Sequence, residues 1–70
     1  MSDRIKATVS DWQAGRPYGF VRPYGAALEI FVSMSELPEG VHNLIEGSAI
    51  EYTPGVDARG RPHATRIVLI

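Results

Sequence analysis

The chain has 70 residues, a length that allows one small domain with a marginal hydrophobic core. It contains no cysteine, which excludes disulfides and cysteine-based metal sites, so packing alone has to hold the fold. The formal net charge is −1 at pH 7, and Lys and Arg are missing from residues 23–58. This balance argues against a strongly basic binder, although a fold that joins the two chain ends would gather the cations on one side. The alternative is an ordinary surface of mixed charge.

Targeting signals are not evident. No apolar run approaches the roughly 20 residues that a membrane-spanning helix needs. The segment Met1–Lys6 is charged and then alternating, which is not the pattern of a signal peptide. We therefore expect a cytoplasmic protein with a single domain over residues 1–70 and no membrane partner.

Alternation of apolar and polar residues dominates the chain and predicts strands. In chain order the predicted strands are Ile5–Ser10, Tyr18–Arg22, Leu28–Met34, Ala49–Thr53 and Ala64–Ile70. The stretches between them are rich in turn-forming residues: Asp11–Pro17, Ser35–Gly40 with one helical turn at most, and Pro54–Pro62. Five short strands in so small a domain predict an all-β closed or nearly closed barrel, because long unpaired edges invite aggregation.

The second predicted strand places aromatic side chains on one face. In an extended chain Tyr18 and Phe20 point to the same side as Arg22, with about 7 Å between successive members. Gly19 and Val21 point to the other side. Val21 suits the core, and Gly19 is expected to let a flat ligand approach between the rings.

The third predicted strand repeats this arrangement. Ile30 and Val32 suit the core, which leaves Phe31 and Ser33 on the face that carries the other rings. Exposed rings beside a cation are typical of surfaces on which unpaired bases stack. The alternative places the rings in the core and exposes the aliphatic neighbours together, at a large apolar cost.

Several motifs then resemble one family. Val9–Val21, V-S-D-W-Q-A-G-R-P-Y-G-F-V, resembles the cold-shock segment V-K-W-F-N-x-x-K-G-F-G-F-I, and Ile30–Ser35, I-F-V-S-M-S, resembles V-F-V-H-F-S. L-I-E-G at 44–47 and G-R-P-H-A at 60–64 resemble the family's L-x-E-G and K-G-P-Q-A. The ordered set covers about Ile5 to Leu69 and is similar to the cold-shock domain family of small bacterial cold-shock-like proteins. The resemblance implies a five-stranded antiparallel barrel of the oligonucleotide-binding (OB) type that binds single-stranded RNA or DNA, as an RNA chaperone does.

The resemblance also implies roles for individual residues. Tyr18, Phe20 and Phe31 occupy base-stacking positions, and Arg16 keeps the basic position before the motif. Several positions depart from the family, which has Lys, Trp, His and an aromatic residue where this chain has Ser10, Asp11, Ser33 and Val41. Met34 replaces a Phe, and Trp12 follows the usual Trp position by one residue, either in the core or partly in its place. With rings lost and an acid gained, we expect binding weaker than is typical of the family.

Five cations are candidate phosphate ligands: Lys6, Arg16, Arg22, Arg59 and Arg61. For any one of them, a solubilising surface charge is the alternative. Because the net charge is −1, stacking has to dominate over charge, and we expect affinity to fall only modestly with salt.

Nothing in the sequence predicts an enzyme. His42 and His63 are isolated in loop-like segments, and Ser33 and Ser35 have no recognisable catalytic partners. We expect a monomer with no cofactor, no bound metal and no small-molecule substrate. The second hypothesis is a protein-interaction module, in which the barrel persists but the reduced platform serves a partner protein or a further domain; the acidic middle of the chain and the missing rings favour it.

Overall fold

The computed structural model describes residues 4–70, so the start of the segment used to judge a signal peptide lies outside the described residues. Five strands and one 3-10 turn (Met34–Glu36) form the domain. The strands are β1 (Ile5–Trp12), β2 (Tyr18–Pro23), β3 (Ile30–Ser33), β4 (Ala49–Val56) and β5 (Pro62–Leu69). No helix in this part of the chain is long and apolar enough to span a membrane.

The strands close into a barrel in the order β1-β2-β3-β5-β4. This confirms the predicted all-β barrel but corrects its description as antiparallel, because β3 and β5 pair in parallel, with Phe31 opposite His63. The exception is a geometric necessity: strand directions cannot alternate all the way around a closed ring with an odd number of members. The parallel pair lies where the ring closes, between strands that are not consecutive in the chain.

Strand boundaries differ from the predictions in several places. The fourth and fifth strands extend into the predicted loop, so that Pro54 pairs with Ala64 and Val56 with Pro62. Pro and Gly are rare in strands, which is why local composition predicted a loop there. The third strand is shorter than predicted and begins at Ile30, since Leu28 lies outside it and is 54% exposed.

The first strand continues past its predicted end through a β-bulge. The register between β1 and β2 shifts between Val9 and Asp11, so Ser10 is an extra residue whose hydroxyl donates to the Phe20 carbonyl oxygen at 3.2 Å. A bulge inserts one residue and therefore reverses which side the following residues face. As a result Trp12, rather than Asp11, continues the inward row of Ala7 and Val9.

The core is built from the inward side chains of all five strands and one loop leucine. Its buried members are Ala7, Val9, Trp12, Val21, Ile30, Val32, Leu44, Ile50, Tyr52, Ala64 and Ile67. Val21 and Val32 have no exposed surface, and Ile30 is 7% exposed. The predicted parity is therefore confirmed: the aliphatic residues of β2 and β3 point inward, and the alternative with the rings in the core is wrong.

Candidate nucleic-acid interface

Three rings form a contiguous cluster on the outer face of β2 and β3, which we call the aromatic platform: Tyr18, Phe20 and Phe31. The strand register brings them together because Phe20 lies directly opposite Phe31. Tyr18 and Phe31 are nearly parallel, with centroids 5.7 Å apart and planes at 22°. Phe20 meets both rings edge-on, at 6.3 Å from Tyr18 and 6.0 Å from Phe31.

The platform remains open to solvent although its members contact one another. Tyr18 is 36% and Phe31 41% exposed, whereas Phe20 is half-buried between them. Such ring pairs, offset-stacked or edge-to-face, are mutually favourable arrangements. The cluster is therefore a pre-ordered apolar surface that a flat ligand can cover without reorganising the strands.

Gly19 has a different role from the one predicted. It is buried, it pairs with Trp12 across the β1–β2 ladder, and a Cβ atom built on it would overlap the indole ring of Trp12. The missing side chain therefore makes room for the tryptophan inside the barrel, rather than for a ligand between the outer rings.

Trp12 lies in the core and not on the platform. It is only 5% exposed, its indole Nε1 donates to Asn43 Oδ1 at 3.3 Å, and its backbone N–H donates to the Glu46 carboxylate at 2.9 Å. Of its two predicted placements the structure shows the core, so its candidacy as a base-contacting residue is corrected. The bulge at Ser10 is the physical reason, since strict alternation from Val9 would have turned Trp12 outward.

Arg16 lies against the platform but is held by an acid. Its guanidinium lies 4.7 Å from the centroid of the Tyr18 ring, and its Nε donates to the Tyr18 carbonyl oxygen at 3.3 Å. Its Nη2 is 3.1 Å from Asp11 Oδ1, and Asp11 lies opposite Phe20 on the outer face. From the sequence, Asp11 is expected only to be an acid that weakens binding, and the ion pair across the β1–β2 connection was not predicted.

The other predicted cations lie at different distances from the rings. Arg61 lines a groove of about 450 Å³ with Phe20 and Phe31, and the carboxylates of Glu29 and Asp57 line the same groove. Parity alone would have found Glu29, because it precedes Phe31 by two residues. Neither carboxylate was among the predicted site residues.

These carboxylates also pair with the nearby cations. Arg22 Nη2 lies 3.6 Å from Glu29, and Arg61 Nε lies 4.0 Å from Asp57. Hydrogen bonds from backbone N–H groups, foremost that of Arg61, lower the pKa of Asp57 below its ordinary value of 3.8. Asp57 is therefore ionised at neutral pH, and the rim of the groove carries charges of both signs.

The remaining candidates lie at the edges of this surface. Met34 is 42% exposed, lines a groove with Arg16, and is tied to that end because its N–H donates to the Pro17 carbonyl at 2.8 Å. Lys6 is exposed on β1 opposite Glu51 of β4, and its carbonyl oxygen accepts from the Tyr24 N–H just after β2 at 3.0 Å. Arg59 is exposed in the β4–β5 connection, where its backbone N–H donates to Asp57 at 2.8 Å.

Metal binding has no visible site in residues 4–70, which contain no group of three or more His, Asp or Glu side chains placed to share an ion.

The chain combines a small five-stranded barrel with an outward-facing aromatic platform and a groove rim of mixed charge.

Comparison with known proteins agrees with those motifs. No family model matches the chain. The chain is 32% identical over 66 residues to Cold shock domain-containing protein 4 of Arabidopsis thaliana, an alignment that covers 93% of this chain. It spans about a third of that relative's length, 33%. The predicted resemblance to the cold-shock domain family is thereby confirmed, both by this similarity and by the five-stranded barrel.

Proposed function

We propose that this domain binds single-stranded nucleic acid by stacking unpaired bases on the aromatic platform. The observation that carries the proposal is the outward position of Tyr18, Phe20 and Phe31 on strands whose aliphatic residues fill the core. Packing of the core does not explain why a 70-residue domain exposes three adjoining rings on its surface. A flat, unpaired base covers such rings and gains about 1–3 kcal/mol in stacking.

The proposed division of labour places stacking above charge. Arg16, Arg22 and Arg61 each have a carboxylate within 4.0 Å, so each loses part of its attraction for phosphate. For single strands the logarithm of the affinity falls by about 0.7 per phosphate contact for each decade of salt. We expect a shallow salt dependence, and a slope steeper than about −2.8, equivalent to four contacts, would contradict this division.

The proposal describes a passive, sequence-tolerant binder of RNA or DNA without catalytic activity, acting in the cytoplasm. By trapping unpaired bases it would oppose secondary structure in RNA, as a chaperone does. Binding is expected to be weaker than is typical of the family, because the departures at Asp11, Ser33 and Val41 remove rings from the edge of the surface.

The decisive experiment titrates a fluorescein-labelled oligo-dT with the domain and follows polarisation. Phe31→Ala should weaken binding about 5- to 150-fold, the equivalent of one lost stacking contact. The matched control is Ile45→Ala, which removes a side chain that is 77% exposed and lines a different groove, with Leu69 and Ile70. Tryptophan fluorescence is a poor readout of binding here, since Trp12 is buried.

Two outcomes would contradict the proposal. One is the absence of any polarisation change up to high micromolar protein while circular dichroism shows a folded domain. The other is equal binding by wild type and Phe31→Ala, which would place the contact elsewhere.

A protein-interaction module is the second candidate. The ion pairs around the platform favour it, because paired carboxylates beside each of three cations suit a mixed-charge protein surface better than a polyanion. A folded domain that ignores oligo-dT would support this candidate over the first.

A further inference from the structure

Asp11 and Arg16 form a charge pair beside one of the exposed rings. The carboxylate of Asp11 lies 3.1 Å from Arg16 Nη2, and the Arg16 guanidinium lies over Tyr18 at 4.7 Å from the ring centroid. The bulge at Ser10 produces this contact, because it turns Asp11 to the outer face opposite Phe20. The cation that lies over Tyr18 is therefore neutralised by a residue of the chain itself.

The position of Arg16 also limits what it can bind. Its Nη2 is shielded from solvent, and its Nε is engaged by the Tyr18 carbonyl oxygen at 3.3 Å. A phosphate cannot reach Nη2 unless the side chain moves away from Asp11. That movement breaks the Asp11–Arg16 ion pair, so Asp11 and a phosphate compete for the same guanidinium.

We infer that Asp11 is an internal competitor for the phosphate of the bound strand and holds Arg16 against Tyr18, so that Arg16 does not act as a phosphate ligand in this protein. This inference rests on the proposed function, since it concerns the same surface. Asp11 then lowers both the affinity and the salt dependence of the site, because it removes one phosphate contact that Arg16 would otherwise supply.

The expected size of the effect follows from counterion release. One additional phosphate contact on a single strand steepens the salt slope by about 0.7. If this gain vanishes at 1 M salt, the same contact raises affinity roughly eightfold at 50 mM salt and roughly fourfold at 150 mM. Asp11→Asn should therefore bind oligo-dT several-fold more tightly than wild type, and the advantage should shrink as salt is added.

A double-mutant cycle separates this mechanism from simple removal of negative charge. Arg16→Gln alone should change wild-type affinity little, because Asp11 already neutralises the guanidinium. In the Arg16→Gln background, Asp11→Asn should lose most of its gain. Glu39→Gln, an equal change of net charge in the exposed loop before β4, is the matched control and should leave the salt slope unchanged.

The outcomes distinguish the inference from the proposed function. Suppose that wild type binds through Phe31 and that Asp11→Asn has the same affinity and salt slope as wild type. This result would overturn the inference and leave the proposed function intact. An Asp11→Asn gain that persists undiminished without Arg16 would also overturn it, by showing long-range repulsion. If neither wild type nor Asp11→Asn binds, the proposed function itself fails. Asp11→Ala, which removes both side-chain oxygens of Asp11, repeats the test in case the Asn amide still contacts Arg16.

Discussion

Replacing Gly19 with alanine tests whether the buried tryptophan, rather than a ligand, requires a glycine in β2. The added Cβ atom would overlap Cε3 of Trp12 and lie 2.5 Å from the Asp11 carbonyl oxygen. Comfortable contact between non-bonded atoms begins at about 3.5 Å, so the backbone of β1 has to shift by about 1 Å. The indole cannot rotate away freely, because its Nε1–H donates a hydrogen bond to Asn43 Oδ1.

The expected cost is at the upper end of what overpacking causes, about 3 kcal/mol of unfolding free energy. For a domain of this size each kcal/mol corresponds to about 4–8 °C, so the melting temperature should fall by roughly 12–24 °C. Thermal unfolding followed by circular dichroism measures it, and the fluorescence of Trp12 reports whether the indole has become exposed in the native state.

Gly25→Ala is the matched control for the added methyl group. Gly25 has φ +77° and open space around its missing Cβ, so alanine there incurs only the left-handed backbone penalty of about 1–2 kcal/mol. If Gly19→Ala were no more destabilising than Gly25→Ala, the packing explanation for Gly19 would be refuted, and a role for this glycine toward a ligand would regain its place.

Three further predictions concern stability. Arg66 is the non-glycine residue with positive φ among residues 4–70, at +52°. Arg66→Gly should relieve about 1–2 kcal/mol of backbone strain and lose about 0.5–1 kcal/mol to the entropy of the unfolded chain, so the melting temperature should rise. An unchanged or lower melting temperature would show that no strain is stored at this residue. Glu46→Ala should lower the unfolding free energy by about 1 kcal/mol in urea titrations, because it orphans the Trp12 backbone N–H; Glu46→Gln, which keeps an acceptor, should cost less. The pKa of Asp57 is below 3.8 in the folded state, so its contribution to stability is complete above pH 3.8 and is lost as the pH falls through the folded-state pKa. Asp57→Ala should therefore lose less stability than wild type between neutral pH and about pH 2.5. Parallel plots of unfolding free energy against pH for the two proteins would contradict this.

Side-chain parity was predictable from the sequence because it depends on a short-range rule. Once Val21 and Val32 have to be inside, the residues between and beside them have to be outside, whatever the strands pair with. The same local rule predicted the exposure of Phe31. The closure of the barrel followed from strand number and chain length, and the parallel β3–β5 pair was implicit in the odd number of strands.

Features that depend on which residues meet in three dimensions were not predictable in this way. Pro54 and Pro62 enter strands because their partners across the β4–β5 hairpin hold them extended, and this cross-strand pairing outweighs their low strand propensity. The ion pairs of Arg22 with Glu29 and of Arg61 with Asp57 depend on how the chain bends within a single connection, which no periodicity predicts.

The bulge at Ser10 links the core to the candidate site. Strict alternation from Val9 would bury the Asp11 carboxylate and expose Trp12, and burying an unpaired charge is far more costly than adding one unpaired residue to a strand. The inserted residue exchanges the two side chains: the indole enters the barrel over Gly19, and the carboxylate emerges beside Arg16. Burial of Trp12 in the apolar core therefore places the Asp11 carboxylate at the edge of the aromatic platform. The weak phosphate attraction that we propose for this surface has the same physical origin as the packing that stabilises the domain.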